Sequence, residues 1–113
     1  MKNWHNLTDI AQVDELATNA EVSTCVIFKH STRCNISEIA LTRLREADLS
    51  QFPDIPFYYL DLLAHREVSD YVSEKFQVHH ESPQLLLIEK GECIYDVSHL
   101  DIYPAALQEV FQP

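Results

Sequence analysis

The first regular pattern in the chain runs through Ile10, Val13 and Leu16, apolar positions at helical spacing with polar residues between them. It predicts a helix to about residue 19, opened by Thr8 or Asp9 as N-cap. Residues 23–29, STCVIFK, are rich in β-branched and aromatic types and alternate only weakly. That suits a strand buried on both faces. Helical spacing then returns, with Ile36, Ile39, Ala40, Leu44 and Ala47 on one face and Arg43, Arg45 and Glu46 mostly off it. A loop holding Pro53 and Pro56 leads to residues 57–62, FYYLDL, a second strand. From Arg66 to about Phe76 the stripe Val68, Tyr71, Val72 and Phe76 is helical again, and Ser69, Asp70, Glu74 and Lys75 are expected to face water.

Residues 83–89, PQLLLIE, read as a third strand, and residues 93–97, CIYDV, as a fourth. The EKGE stretch at 89–92 between them predicts a hairpin, hence antiparallel pairing. A last short helix is expected from about Ile102 to Phe111, with Pro104 tolerated in its first turn. The order is α-β-α-β-α-β-β-α. Two strands joined through a helix take a parallel, right-handed crossover, and the hairpin adds an antiparallel edge. The expectation is an α/β fold with a mixed four-stranded sheet flanked by helices, which is the thioredoxin-like order.

Bulk properties narrow the function. The 113 residues suit one domain with a single core. No window approaches the roughly 18 apolar residues of a membrane span, and the polar start MKNWHNLTDIAQVDEL is unlike a secretion signal. These features place the chain in the cytoplasm and away from membranes. A net charge of −10, with eight Lys and Arg spread along the chain, argues against nucleic acid. The three cysteines, Cys25, Cys34 and Cys93, cannot all pair within one chain, and no Cys-x-x-Cys is present. A disulfide framework and a standard zinc site are both disfavoured, leaving free thiols in a reducing compartment.

Cys34 lies in the turn that leaves the first predicted strand and enters the second helix. Function in open α/β sheets collects at the carboxyl ends of parallel strands, and a helix N-terminus offers free N–H donors that stabilise a thiolate. Arg33 and His30, taken as exposed, would add positive charge. A thiolate attacks disulfide sulfur. The competing reading of Cys34 is a small residue filling a turn. Ser82–Pro83 precedes the third strand, whose start lies beside the start of the second helix in this order. An X-Pro bond there can be cis and would expose backbone groups to an extended ligand, although a proline often simply opens a strand. Cys25 falls near the far end of its strand and Cys93 beyond the hairpin, so both read as buried small hydrophobes outside disulfide reach of Cys34. A metal site of Cys34, His30 and His80 lacks any standard spacing, and a Cys-His hydrolase lacks a specified base and oxyanion hole. His5, His65 and His99 read as solvent-facing or structural.

The strings FKHSTRCNIS at 28–37 and HESPQ at 80–84, with DYV at 70–72 and SHLDI at 98–102 at matching intervals, resemble the monothiol thioredoxin-like proteins of the bacillithiol system, the YtxJ type. The resemblance covers essentially the whole chain. It implies a thioredoxin-like fold, Cys34 as the redox-active thiol, Pro83 as a cis-proline and a role in bacillithiol-linked exchange. One position departs: the family usually carries Pro after this cysteine, where Asn35 stands. Asparagine restores an N–H donor and loosens the turn. The Cys34-x-x-Ser37 spacing is also similar to monothiol glutaredoxins, but their glutathione-binding residues do not match one by one.

The expected function is therefore monothiol thiol-disulfide exchange. Cys34 is the nucleophile, and Ser37, Asn35 and Arg33 stabilise its thiolate, Ser37 through a hydrogen bond to sulfur. Thr32, Ser82, Pro83 and His80 bind substrate. The partners are thiolated client proteins and a bacillithiol-like low-molecular-weight thiol as co-substrate, with no tightly bound cofactor and no metal. The alternative is a non-catalytic binding module on the same fold. An unpaired hairpin edge leaves the oligomeric state open.

Overall fold

The computed structural model describes residues 4–18, 24–46 and 55–102. Its elements in chain order are β1 (Trp4–Asn6), α1 (Ile10–Thr18), β2 (Thr24–His30), α2 (Asn35–Glu46), β3 (Phe57–Asp61), α3 (Arg66–Phe76), β4 (Gln84–Glu89) and β5 (Glu92–Ser98), then a 3-10 turn at His99–Asp101. The sheet order is β1-β3-β2-β4-β5. β1 and β2 both run parallel to β3, while β4 is antiparallel to β2 and to β5. The four expected strands form with the expected pairing, and β1 is added at the edge, making five. Its three residues pair Trp4 with Phe57, His5 with Tyr58 and Asn6 with Tyr59, a length too short to leave a period in the sequence. The expected last helix lies outside the described residues, as do Ala47 and Pro53.

The helix start at Asp9 is a reciprocal capping box. The Gln12 N–H donates to Asp9 Oδ1 at 2.8 Å, and the Asp9 N–H donates to Gln12 Oε1 at 3.1 Å. β2 is buried along nearly its whole length, as the weak alternation predicts. Its pleat sends Cys25 and Ile27 into a core with Val13 and Leu16 of α1 and Val68, Val72 and Phe76 of α3. Val26 and Phe28 enter a second core under Ala40, Leu41 and Leu44 of α2. The sheet is thus covered on both faces, with β2 at its centre. Among the described residues no helix is long and apolar enough to cross a membrane.

Two expectations about helix faces are corrected. α2 buries Ser37, Ala40, Leu41 and Leu44, whereas Ile36 and Ile39 are exposed at 38% and 44%. The buried stripe is the i, i+3, i+4, i+7 set that starts at a serine, so a search for apolar positions alone misses it. In α3, Asp70, Glu74 and Lys75 are exposed but Ser69 is fully buried beside Val68 and Val72; its carbonyl accepts from Lys29, while its hydroxyl has no partner among the described residues.

The hairpin closes on Lys90 and Gly91, with φ of 53° and 82°, between the paired Glu89 and Glu92. Positive φ at both central residues gives a turn whose twist matches the strands. A Cβ on Gly91 would stand 2.4 Å from the Ala17 carbonyl oxygen, so the turn packs directly on the end of α1. Gly91→Ala is expected to cost about 2 kcal/mol or more, from the backbone conformation and this clash together. Urea unfolding checks it, and a loss below about 0.5 kcal/mol would contradict it.

Candidate functional site

The site grows from the last two residues of β2. Strand geometry turns consecutive side chains to opposite faces, and here those side chains are Lys29 and His30, exposed at 0% and 1%. Two buried polar groups side by side need partners, and each has them.

His30 faces α2. Its Nδ1 lies 2.7 Å from Ser37 Oγ and its Nε2 3.2 Å from Glu38 Oε1, while the ring stacks against Phe28 and Tyr59. Ser37 Oγ also accepts the Ser31 N–H at 3.0 Å. Because a carboxylate only accepts, Nε2–H donates to Glu38, and Nδ1 and Ser37 Oγ share the second hydrogen bond. A serine, histidine and carboxylate in a row resemble a hydrolase triad, but Ser37 is fully buried and therefore no nucleophile. The network instead shapes the turn that carries Cys34. The Cys34 N–H donates to Ser31 O at 3.2 Å, and Cys34 O accepts the Glu38 N–H at 3.0 Å. Cys34 thus caps α2, half-buried, and its turn is anchored through Ser31 to Ser37 and His30.

This arrangement corrects two expectations. His30 is buried rather than an exposed source of charge. The Ser37 hydroxyl is committed to His30 and Ser31 rather than to the Cys34 sulfur, because it lies beneath the helix start. Thr32, Arg33 and Asn35 are all exposed around the turn. Asn35 occupies the first position of α2.

Lys29 faces α3. Its Nζ donates to Ser69 O at 3.1 Å and Ser73 Oγ at 2.8 Å, and lies 3.2 Å from His80 Nδ1. Three acceptors match the three donors of an ammonium group. Burial pushes Lys29 down to about 8, with the Asp70 carboxylate opposing. His80 is held below the ordinary histidine value by burial and then by Lys29, against Asp70 and Glu81. His80 opens the segment that reaches the Ser82–Pro83 peptide bond, which is cis. Buried Gln84 ties that segment down: its Nε2 donates to His79 O at 2.9 Å and its Oε1 accepts the Glu81 N–H at 3.4 Å. Pro83 is buried, with its carbonyl accepting the His99 N–H at 3.0 Å. Ser82 Oγ is buried without a protein partner among the described residues. Since Lys29 pairs with Gln84 across β2 and β4, the cis-proline segment and the Cys34 turn share one end of the sheet.

The other thiols lie elsewhere. Cys25 is buried at the start of β2, and burial pushes it up to about 12. Cys93 is half-buried rather than buried, because β5 is an edge strand. Its thiol donates to Tyr95 O at 3.4 Å and is raised mainly by burial. His30 and His80 are held on opposite faces of the sheet, so they do not converge on Cys34. His5 stacks on Tyr58, His65 stands before α3, and His99 pairs with Glu81. Lys29, Glu38 and Gln84 were not predicted as site residues. The available signal was a lysine as the last residue of a strand expected to be buried on both faces, where a charge requires partners.

A lysine held near 8 against an ordinary 10.5 makes the unfolded chain the better proton binder between those values, so stability rises with pH across that window. Denaturant unfolding of the wild type and Lys29→Met at pH 7 and pH 10 isolates this residue, since the other titrating groups are common to both. The wild type is expected to gain roughly 2 kcal/mol on the variant between the two pH values. A pH-independent difference would contradict the assignment.

Comparison with known proteins agrees with this geometry. A solved structure described as a proposed oxidoreductase with a thioredoxin fold is 30% identical, with a TM-score of 0.82, covering 96% of this chain and 93% of that one. Mitochondrial thioredoxin 3 from Saccharomyces cerevisiae shares the fold at 18% identity and a TM-score of 0.73, covering 98% and 95%. Thioredoxin O2 from Arabidopsis thaliana does so at 17% identity and 0.74, covering 99% and 95%. The sequence model of the monothiol bacilliredoxin BrxC family matches residues 5–107. With a single thiol at the helix cap, a cis-proline at the same end of the sheet and a match over nearly its whole length, the chain belongs to the monothiol bacilliredoxin family.

Proposed function

We propose that this protein is a monothiol thiol-disulfide oxidoreductase that exchanges mixed disulfides between client proteins and a bacillithiol-like small thiol in the cytoplasm. The observation that carries the reading is the sorting of the three thiols. Cys25 and Cys93 lie within strands and are held as thiols mainly by burial, while Cys34 alone stands in the turn between β2 and α2, at the end of the sheet shared with the cis-proline.

The Cys34 thiolate attacks the small-thiol sulfur of the mixed disulfide. The client leaves as its thiolate and Cys34 becomes disulfide-bonded to the small thiol. A second small-thiol thiolate attacks that sulfur, releasing Cys34 and the symmetrical small-thiol disulfide. Each step breaks one S–S bond and forms another. No internal cysteine is placed to resolve Cys34, which makes the external thiol a co-substrate. Asn35 and Arg33 flank Cys34 in the turn and are exposed to an incoming disulfide. Thr32, Ser82, Pro83 and His80 border the path of an extended substrate, Ser82 and Pro83 through their main chain. Ile36 and Ile39, exposed in the first turns of α2, offer apolar surface to a client beside the thiol.

Intact-mass analysis after mixing reduced protein with bacillithiol disulfide tests this. One adduct on Cys34, removed by excess thiol and lost in Cys34→Ser, is expected. No adduct, or an adduct that survives Cys34→Ser, would overturn the reading and favour a non-catalytic binding module.

A further inference from the structure

We propose that Lys29 is a positioning residue for this exchange: its buried amine holds His80 by Nδ1, so that Nε2 carries the ring proton and presents a fixed N–H donor in the segment leading to the cis-proline. The inference deepens the reading above, and rests on it for the substrate.

The geometry is over-determined on the protein side. Lys29 is fully buried and its other two donors are taken by Ser69 O and Ser73 Oγ, so Nζ is clamped before it meets His80. The backbone on either side of His80 is fixed separately, by Gln84 to His79 O and from the Glu81 N–H. An N–H of Lys29 aimed at Nδ1 requires a lone pair there, which leaves the proton on Nε2. The half-buried ring has no partner at Nε2 among the described residues. Burial, Lys29 and the Arg66 guanidinium all disfavour a second proton, against Asp70 and Glu81. The result is a neutral donor of fixed direction two residues before Ser82. Its ligand is an oxygen acceptor of a substrate lying along the cis-proline segment, supplied either by a carboxylate of the small thiol or by a main-chain carbonyl of the client.

The test has a spectroscopic and a kinetic arm. Long-range 1H–15N spectra of the reduced wild type at pH 7 should show His80 with a bare Nδ1 and a protonated Nε2. In Lys29→Met the ring should become a tautomer mixture. In exchange assays, Lys29→Met should raise KM about tenfold with kcat little changed for an acceptor-bearing disulfide, the scale of one lost hydrogen bond. His80→Phe should do the same, and the double variant should lose no more than either single one. Dithiodipropionate carries carboxylates, an amidated peptide disulfide carries main-chain carbonyls, and cystamine carries no acceptor. An effect with the first assigns the donor to the small thiol, and with the second to the client; either supports the proposal. An equal KM change with cystamine, unchanged KM throughout, or wild-type His80 protonated at Nδ1 would overturn it. Because the wild-type spectrum needs neither a variant nor turnover, absence of exchange would sink the functional reading while the tautomer was still decided.

Discussion

The site depends on the pleat of β2, which drives Lys29 to one face of the sheet and His30 to the other at the point where the strand ends. A buried amine and a buried imidazole are costly unless satisfied. Each is satisfied by a segment that contributes to the site. His30 takes Ser37 and Glu38, and through Ser37 anchors the turn of Cys34. Lys29 takes α3 and His80, and so anchors the segment leading to Pro83. One strand end therefore couples the nucleophile's turn to the substrate's edge. Leaving either buried group unpaired would cost more than the bonds themselves contribute, which makes the placement stiff.

That stiffness suits a monothiol site. With a lone thiol and no resolving partner, every turnover brings a molecule to the same sulfur, and productive geometry has to be present beforehand. Cys34 stands at the start of α2, and the cis-proline segment lies at the same end of the sheet. Cys25 and Cys93 contribute volume in the sheet and are kept as thiols mainly by burial. Exposed Ile36 and Ile39 extend the surface outward on the α2 side.

Most of the architecture was legible because its elements carry strong signals. β2 and β4 are apolar runs of strand length, α1 and α3 have clear stripes, and the LysGly pair at 90–91 marks the hairpin. The place of Cys34 between a strand and a helix was legible because both flanking elements were. β1 was not, since three residues leave no period and Trp4–Asn6 becomes a strand only by pairing with β3. The face of α2 was misjudged because its buried stripe contains Ser37, a polar residue placed there for His30, while two isoleucines are left outside. Ser69 was misjudged because a small polar side chain occupies the buried face of α3, where its backbone carbonyl and not its hydroxyl meets Lys29. In both helices a buried polar side chain violates the apolar pattern, and it does so here around the site.

The most direct test of the account is the rate of disulfide exchange at Cys34 in His30→Phe. Phenylalanine keeps the aromatic packing beside Phe28 and Tyr59 but removes the bonds to Ser37 and Glu38. The account predicts a folded protein whose Cys34 exchanges about tenfold more slowly, the scale of losing the hydrogen bond that holds Ser37 in place under the turn. A folded variant exchanging at the wild-type rate would contradict it, and would mean that the Cys34 turn holds its shape without β2.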